Sequence, residues 1–268
     1  MIRDITIGQY YPADSVLHRL DPRVKLVGTI LYIISLFVID SYYGIAVSAV
    51  VLFTIIKLSK VPLKFIIRGL KTVFMLLLFT VAFNLFFTPG NELVRLGFIR
   101  ITEEGLHLSI KMAIRLVFLI LGSSLMTFTT TPNQLTDGLE RLLNPLRKIK
   151  VPVHEISMMM SIALRFIPIL MEETDKIMKA QMARGADFES GGLIKRAKSL
   201  IPLLVPLFVS AFRRANDLAM AMEARCYQGG EGRTKMKPLK YTTRDILSYI
   251  TLCSYAALVI FLKIIKIG

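Results

Sequence analysis

Five long apolar runs, at residues 24–39, 42–56, 72–88, 112–131 and 246–262, constrain this chain more than any other feature. Each approaches the ~20 residues that an α-helix needs to cross a ~30 Å hydrocarbon core. Several fall short of that length, so flanking residues or a thinner bilayer must complete them. A chain of 268 residues that is 54% hydrophobic has more apolar surface than a single core can bury. Its mean hydropathy of +0.58 coexists with a net charge of +15, so the charges are segregated along the chain. The expected fold class is therefore an all-α, polytopic membrane protein of about five transmembrane helices with a large cytoplasmic insert of long helices.

Charge in the connections orients the spans. The tight turn at Asp40 and Ser41 has no Lys or Arg, whereas the next connection carries Lys57, Lys60, Lys64, Arg68 and Lys71. The positive-inside rule puts that second connection, and the N-terminus with Arg3, Arg19, Arg23 and Lys25, in the cytoplasm. The loop 89–105 balances Arg95 and Arg100 against Glu92, Glu103 and Glu104, which suits the outside. The expected organisation is a cytoplasmic N-terminal segment (1–23), transmembrane helices 1–4 (24–131), a cytoplasmic helical domain (132–244) and a last transmembrane helix (245–268). The cytoplasmic domain holds 19 of the 34 basic and 11 of the 19 acidic residues.

Thr131 and Pro132 start the first helix of that domain, with Leu135, Leu139, Leu142 and Leu143 on one face, and Asn144–Pro145 break it. A longer pattern runs over 153–182, kinked at Pro168, and another over 193–224 with Pro202 and Pro206 near its start. Residues 188–192 connect the two, and Gly229 with Gly230 ends the second. The apolar stretch 200–212 is too short to span and reads as packing against the membrane domain or its interface.

Several classes of function find no support. Cys226 and Cys253 do not make a disulfide framework and are expected to be free. His18, His107 and His154 match no zinc pattern, and there is no Gly-rich nucleotide loop, so any nucleotide is bound elsewhere. The first 23 residues lack the apolar core of a signal peptide. Basic residues with interleaved aromatics on a soluble module are absent, which argues against nucleic acid as partner. Lys111 and Arg115 share a helix face at the start of the fourth span; they either snorkel to the interface or serve a function within the membrane.

The two long cytoplasmic helices end in the same device. One finishes Ala183-Arg184-Gly185 and the other Ala224-Arg225-Cys226. An arginine between small neighbours lets a partner close around a permanently charged fork that fits a carboxylate. The bland reading is that each arginine complements its helix dipole; duplication favours two related partner subunits. Upstream, Glu172, Glu173, Arg213 and Arg214 read as helix-face ion pairs. The Met-rich stretches 158–160, Met178, Met182, Met220 and Met222 read as core packing or as a surface that repacks against partners. The segment His18–Arg23 reads as a cap, with Asp21 and Pro22 starting the first span.

These motifs together resemble the transmembrane T component of energy-coupling factor (ECF) transporters, in its shared rather than its dedicated cobalt or nickel form. The resemblance covers essentially the whole chain: residues 15–26, 164–168 with Arg165, 172–185, Pro206, Ala224-Arg225 and 229–235. It departs at Cys226, where the family commonly has glycine. The resemblance implies a non-catalytic coupling subunit. Two ABC-type ATPase subunits would dock on the two arginine motifs, and a small membrane S component would bind a vitamin or other micronutrient. No cofactor is expected in this chain, since ATP and Mg²⁺ would be bound by the partner ATPases. The alternative is a self-sufficient secondary transporter or channel, which should show repeats, broken helices or acidic residues within its spans. An intramembrane enzyme would need facing catalytic groups that the spans lack.

Overall fold

A computed structural model describes residues 10–96, 99–188, 192, 194, 198–229, 236 and 238–265. The features read at Arg3, 189–191, Leu193 and 230–235 lie outside the described residues. The fold is all-α apart from one short hairpin. The helices are α1 (Pro22–Val38), α2 (Tyr42–Ser59), α3 (Leu63–Phe87), α4 (Glu103–Thr129), α5 (Pro132–Leu143), α6 (Val153–Ala183), α7 (Ile201–Glu223) and α8 (Thr243–Ile264). Between α3 and α4, strands β1 (Glu92–Leu96) and β2 (Ile99–Thr102) pair antiparallel with an irregularity between Glu92 and Val94. The described residues divide into two compact units, one within 10–138 and 239–265, the other within 139–238.

The first unit holds α1 to α4 and α8. The helix α4 packs on α1, α2 and α3, and α8 packs on α1 and α2. Its core is Tyr32, Leu36, Leu52, Ile56, Ile66, Leu125, Phe128, Tyr255 and Val259, all buried. A Cβ at Gly122 would stand 2.6 Å from the Tyr32 ring, so only glycine lets α4 and α1 approach this closely. Polar glue sits inside the bundle: the Tyr255 hydroxyl hydrogen-bonds Ser35 Oγ at 2.7 Å and Ser48 Oγ at 3.0 Å, tying α8 to α1 and α2. The outer faces are strongly apolar. Phe53, Phe74, Met75, Phe79, Phe87, Leu247 and Ile250 are all exposed. In water such a surface invites aggregation, whereas in lipid it costs nothing.

Helices α2, α4, α6 and α8 are long and apolar enough to cross a membrane, and α3, bent by 60° between Lys71 and Val73, makes a fifth if counted as one span. The helix α1 has 17 residues and is about 25 Å long, shorter than a typical core. By length and composition α6 qualifies too, although its sequence context places it in the basic domain.

Residues 15–26 form a clasp rather than a simple cap. Asp21 caps α1 by accepting the Arg23 N–H at 2.9 Å, and Pro22 follows at the first helical position. The Asp21 N–H donates to Asp245 Oδ1 at 2.9 Å, and Asp245 also closes a capping box with Thr242 at the start of α8. The Arg23 guanidinium bridges Asp21 and lies 3.8 Å over the Tyr241 ring. Lys25 Nζ donates to the Thr129 carbonyl at the end of α4 at 2.8 Å. Three helix ends are thus held by one twelve-residue stretch.

His18 completes this clasp. Its Nε2–H donates to the Tyr11 carbonyl at 3.0 Å while Nδ1 accepts from Ser15 Oγ at 2.6 Å, the neutral tautomer. Burial holds its pKa below the ordinary 6.5. On acidification the unfolded chain therefore takes up the proton first. The stabilisation is complete above pH 6.5 and is lost as the pH falls below it toward the folded value. We expect amides of residues 10–20 to exchange faster at pH about 5.5 than at pH about 7.5 after correction for intrinsic rates, and His18→Gln to remove that difference. Equal protection at both pH values would contradict it.

The second unit holds the end of α5, a 3₁₀ turn (Asn144–Ile149), α6 and α7. Thr131 and Gln134 form a reciprocal capping pair at the start of α5, as the Thr-Pro signal predicts. The helix α6 runs unbroken through Pro168, and α7 has Pro202 in its first turn and Pro206 inside it. On α7 the residues Ile201, Leu204, Val205, Phe208 and Phe212 form an exposed apolar stripe within this unit.

Candidate functional site

The helices α6 and α7 pack antiparallel. Gln181 Nε2 donates to the Pro202 carbonyl near one end, and Arg214 pairs with Glu173 at 2.8 Å further along. That ion pair joins two helices, whereas the sequence suggested pairs along single helix faces. Because the helices run oppositely and α7 has 23 residues, Arg184 and Arg225 stand at opposite ends of the pair, on the order of 30 Å apart.

The two ends have the same backbone. At the first, the N–H groups of Arg184, Gly185 and Ala186 donate to the carbonyls of Gln181, Met182 and Gln181, at 3.0, 2.9 and 3.0 Å. At the second, those of Arg225, Cys226 and Tyr227 donate to Met222, Glu223 and Met222, at 3.1, 2.8 and 3.0 Å. Offset by offset these are one pattern, a Schellman-type close in which the residue after the arginine turns left-handed. Gly185 has φ +86° and Cys226 has φ 54°. Ala183, Arg184 and Gly185, and likewise Ala224, Arg225 and Cys226, are exposed. The arginines are therefore projected by backbone hydrogen bonds and not by side-chain packing.

Cysteine at the left-handed position carries a Cβ penalty that glycine avoids, about 1–2 kcal/mol. Cys226→Gly should relieve about 1 kcal/mol of it, seen as roughly fivefold stronger exchange protection of the Arg225 to Tyr227 amides. Gly185→Ala should do the reverse at the other end, and the cost is conformational alone, since a Cβ there meets nothing within 4 Å. Unchanged protection in both variants would mean that these caps are not formed.

Beside Arg225 the two helices leave a cleft of about 650 Å³, lined by Met158, Ile162, Arg165, Phe166, Leu218 and Met222 among others. Arg165 and Arg225 thus share one cleft, a pairing across two helices that no local pattern reveals. Met159, Met182 and Met220 are exposed rather than core. Among the described residues no group of three or more His, Cys, Asp or Glu side chains is placed to hold a metal ion.

Lys111 and Arg115 are both held at the end of α1. Lys111 Nζ donates to the Asp40 carbonyl at 2.9 Å and Arg115 Nη2 to the Ile39 carbonyl at 2.6 Å. Both neutralise the C-terminal carbonyls of α1, where a cation is favoured by the helix dipole.

The sequence profile of a family described as "Cobalt transport protein", CbiQ, matches residues 13–236. Curated relatives carry the name "Energy-coupling factor transporter transmembrane protein EcfT". The chain is 57% identical to that of Clostridium kluyveri over 95% of its own length and 94% of the relative's. It is 55% identical to that of Thermosediminibacter oceani over 93% and 94%, and 49% identical to that of Bacillus subtilis over 98% and 100%.

Proposed function

From the chain's membership of the CbiQ/EcfT family of transporter membrane components, we propose that it couples ATP hydrolysis by two ABC-type ATPases to solute import. Each helix-end motif, Ala183-Arg184-Gly185 and Ala224-Arg225-Cys226, docks on one ATPase subunit. ATP-driven closure of the ATPases then displaces the ends of α6 and α7. That displacement is delivered to a small membrane S component, which binds and releases a vitamin or another micronutrient. The chain itself catalyses no reaction; ATP and Mg²⁺ are held by the ATPases. The basic domain and the N-terminus lie in the cytoplasm.

The observation that carries this reading is the duplicated cap. Two identical backbone closures, at opposite ends of one antiparallel pair, each present an exposed arginine between small residues. A lone arginine can be explained by its helix dipole. Two copies about 30 Å apart suit two like receptors, each able to offer a carboxylate to the guanidinium fork. A coupling subunit needs contacts that differ between the open and closed ATPases, and two separated anchors supply that.

The test is purification of the tagged chain from its native membrane in mild detergent, with identification of what accompanies it. Two ABC-type ATPases and a small membrane protein are expected. A chain that purifies alone under conditions that keep other ABC assemblies intact overturns the reading.

A further inference from the structure

Outside the docking ends, the second unit contains one cluster of titratable side chains that the coupling reading leaves unused. Glu140, near the end of α5, accepts a hydrogen bond from Ser157 Oγ at 3.0 Å on Oε2 and from His154 Nδ1–H at 3.1 Å on Oε1. Its side chain is 15% exposed, that of His154 is 24% exposed, and Ser157 is buried. An ionised carboxylate only accepts, so the ring nitrogen facing it must carry the proton. His154 and Ser157 lie in the first and second turns of α6, whose N-cap is Pro152 and which has no side-chain cap of its own. A carboxylate placed there also satisfies the positive end of the α6 dipole.

The connection that Glu140 bridges is a place where motion would otherwise be lost. It runs through the 3₁₀ turn Asn144–Ile149, with Lys150 at φ 63°, before α6 begins. Such a turn has few internal hydrogen bonds to hold an angle. Two residues before Glu140, Gly138 presses on α1: a Cβ there would stand 3.0 Å from Pro22 Cβ and 3.2 Å from Leu26 Cδ1. Gly138 is thus set against α1 within the first unit, and Glu140 against α6 within the second.

We propose that Glu140 is a positioning residue for coupling: it clips α6 to α5, so that displacement of α6 is carried into α5 instead of being absorbed in the Asn144–Ile149 turn. The proposal rests on the coupling role given above. Glu140 touches neither ATPase nor solute, and its loss should separate hydrolysis from transport while leaving the assembly intact.

The experiment uses the complete complex, with a riboflavin-binding S component, reconstituted in liposomes. ATP hydrolysis and uptake of tritiated riboflavin are measured on the same vesicles. In Glu140→Ala the ATPases should still co-purify and hydrolyse ATP, but riboflavin taken up per ATP should fall about tenfold or more. Glu140→Gln keeps one acceptor oxygen for His154 and offers an amide N–H that the Ser157 hydroxyl can accept, so it should stay within about twofold of wild type, which a general loss of stability would not reproduce. Ser157→Ala removes the hydrogen bond to Glu140 Oε2 and should fall between them. A Glu140→Ala complex coupled as well as wild type, an equal defect in Glu140→Gln, or loss of the ATPases from Glu140→Ala would overturn the proposal. Hydrolysis without uptake in the wild type would overturn the coupling reading itself.

Discussion

Reversing both helix-end arginines, Arg184→Glu with Arg225→Glu, should strip the ATPases from the solubilised complex and abolish ATP-driven uptake, while the chain stays folded in the membrane. Each arginine is exposed, and the cap that presents it is built from backbone hydrogen bonds, so the exchange leaves the helix ends as they are. What changes is the charge offered to the partner. Removing a buried anchor at an interface costs roughly 2–4 kcal/mol when its carboxylate is left unpaired, and placing a carboxylate there adds repulsion. Two sites treated this way lose far more than about a thousandfold in affinity, enough to empty the complex during purification. Each single variant should lose one contact and retain a partial assembly. Normal recovery of ATPases with the double variant would show that the arginines serve only their own helix dipoles.

Asp245→Ala should be the most destabilising single change in the clasp. Asp245 is 1% exposed, and its carboxylate accepts the Asp21 N–H at 2.9 Å, the Thr242 N–H at 2.7 Å and the Thr242 hydroxyl at 2.8 Å. Truncation removes the capping box of α8, worth about 1 kcal/mol, and leaves the buried Asp21 N–H without a partner, worth a further 1–3 kcal/mol. It also leaves Arg23 and Lys25 with one carboxylate fewer nearby. A total of about 3 kcal/mol is expected, a large share of the stability of an ordinary domain. A detergent-micelle unfolding series should show it as a lower midpoint. Asp245→Asn, which keeps one acceptor oxygen, should lose less. A midpoint equal to wild type in the alanine variant would contradict the clasp.

The apolar runs were enough to predict an all-helical membrane protein, because a lipid solvent leaves few other solutions for stretches of that length. Local signals also carried through: Thr131 with Pro132, and Asp21 with Pro22, start helices where the sequence places them. The helix-end motifs were legible as a pair of short strings, but their shared backbone closure was not. That Cys226 adopts the same left-handed turn as Gly185 follows from backbone hydrogen bonds that cysteine does not advertise.

What the sequence could not show were contacts made at long separation. The Tyr255 hydroxyl meets Ser35 and Ser48 from more than two hundred positions away, and Lys111 and Arg115 reach a helix end some seventy residues upstream. Charge at a membrane edge suggested snorkelling, since one span read alone has no partner to offer. The hairpin over 92–102 was read as loop: two strands of five and four residues give too short a pattern to register.

The central claim is that this chain transmits work and neither performs the chemistry nor selects the solute. Reconstitution tests it most directly: purified chain alone in liposomes, then with the two ATPases, then with the S component added. The account predicts no hydrolysis and no uptake for the chain alone, hydrolysis once the ATPases are present, and ATP-dependent accumulation only when the S component completes the set. Accumulation of a solute by the chain alone would contradict it.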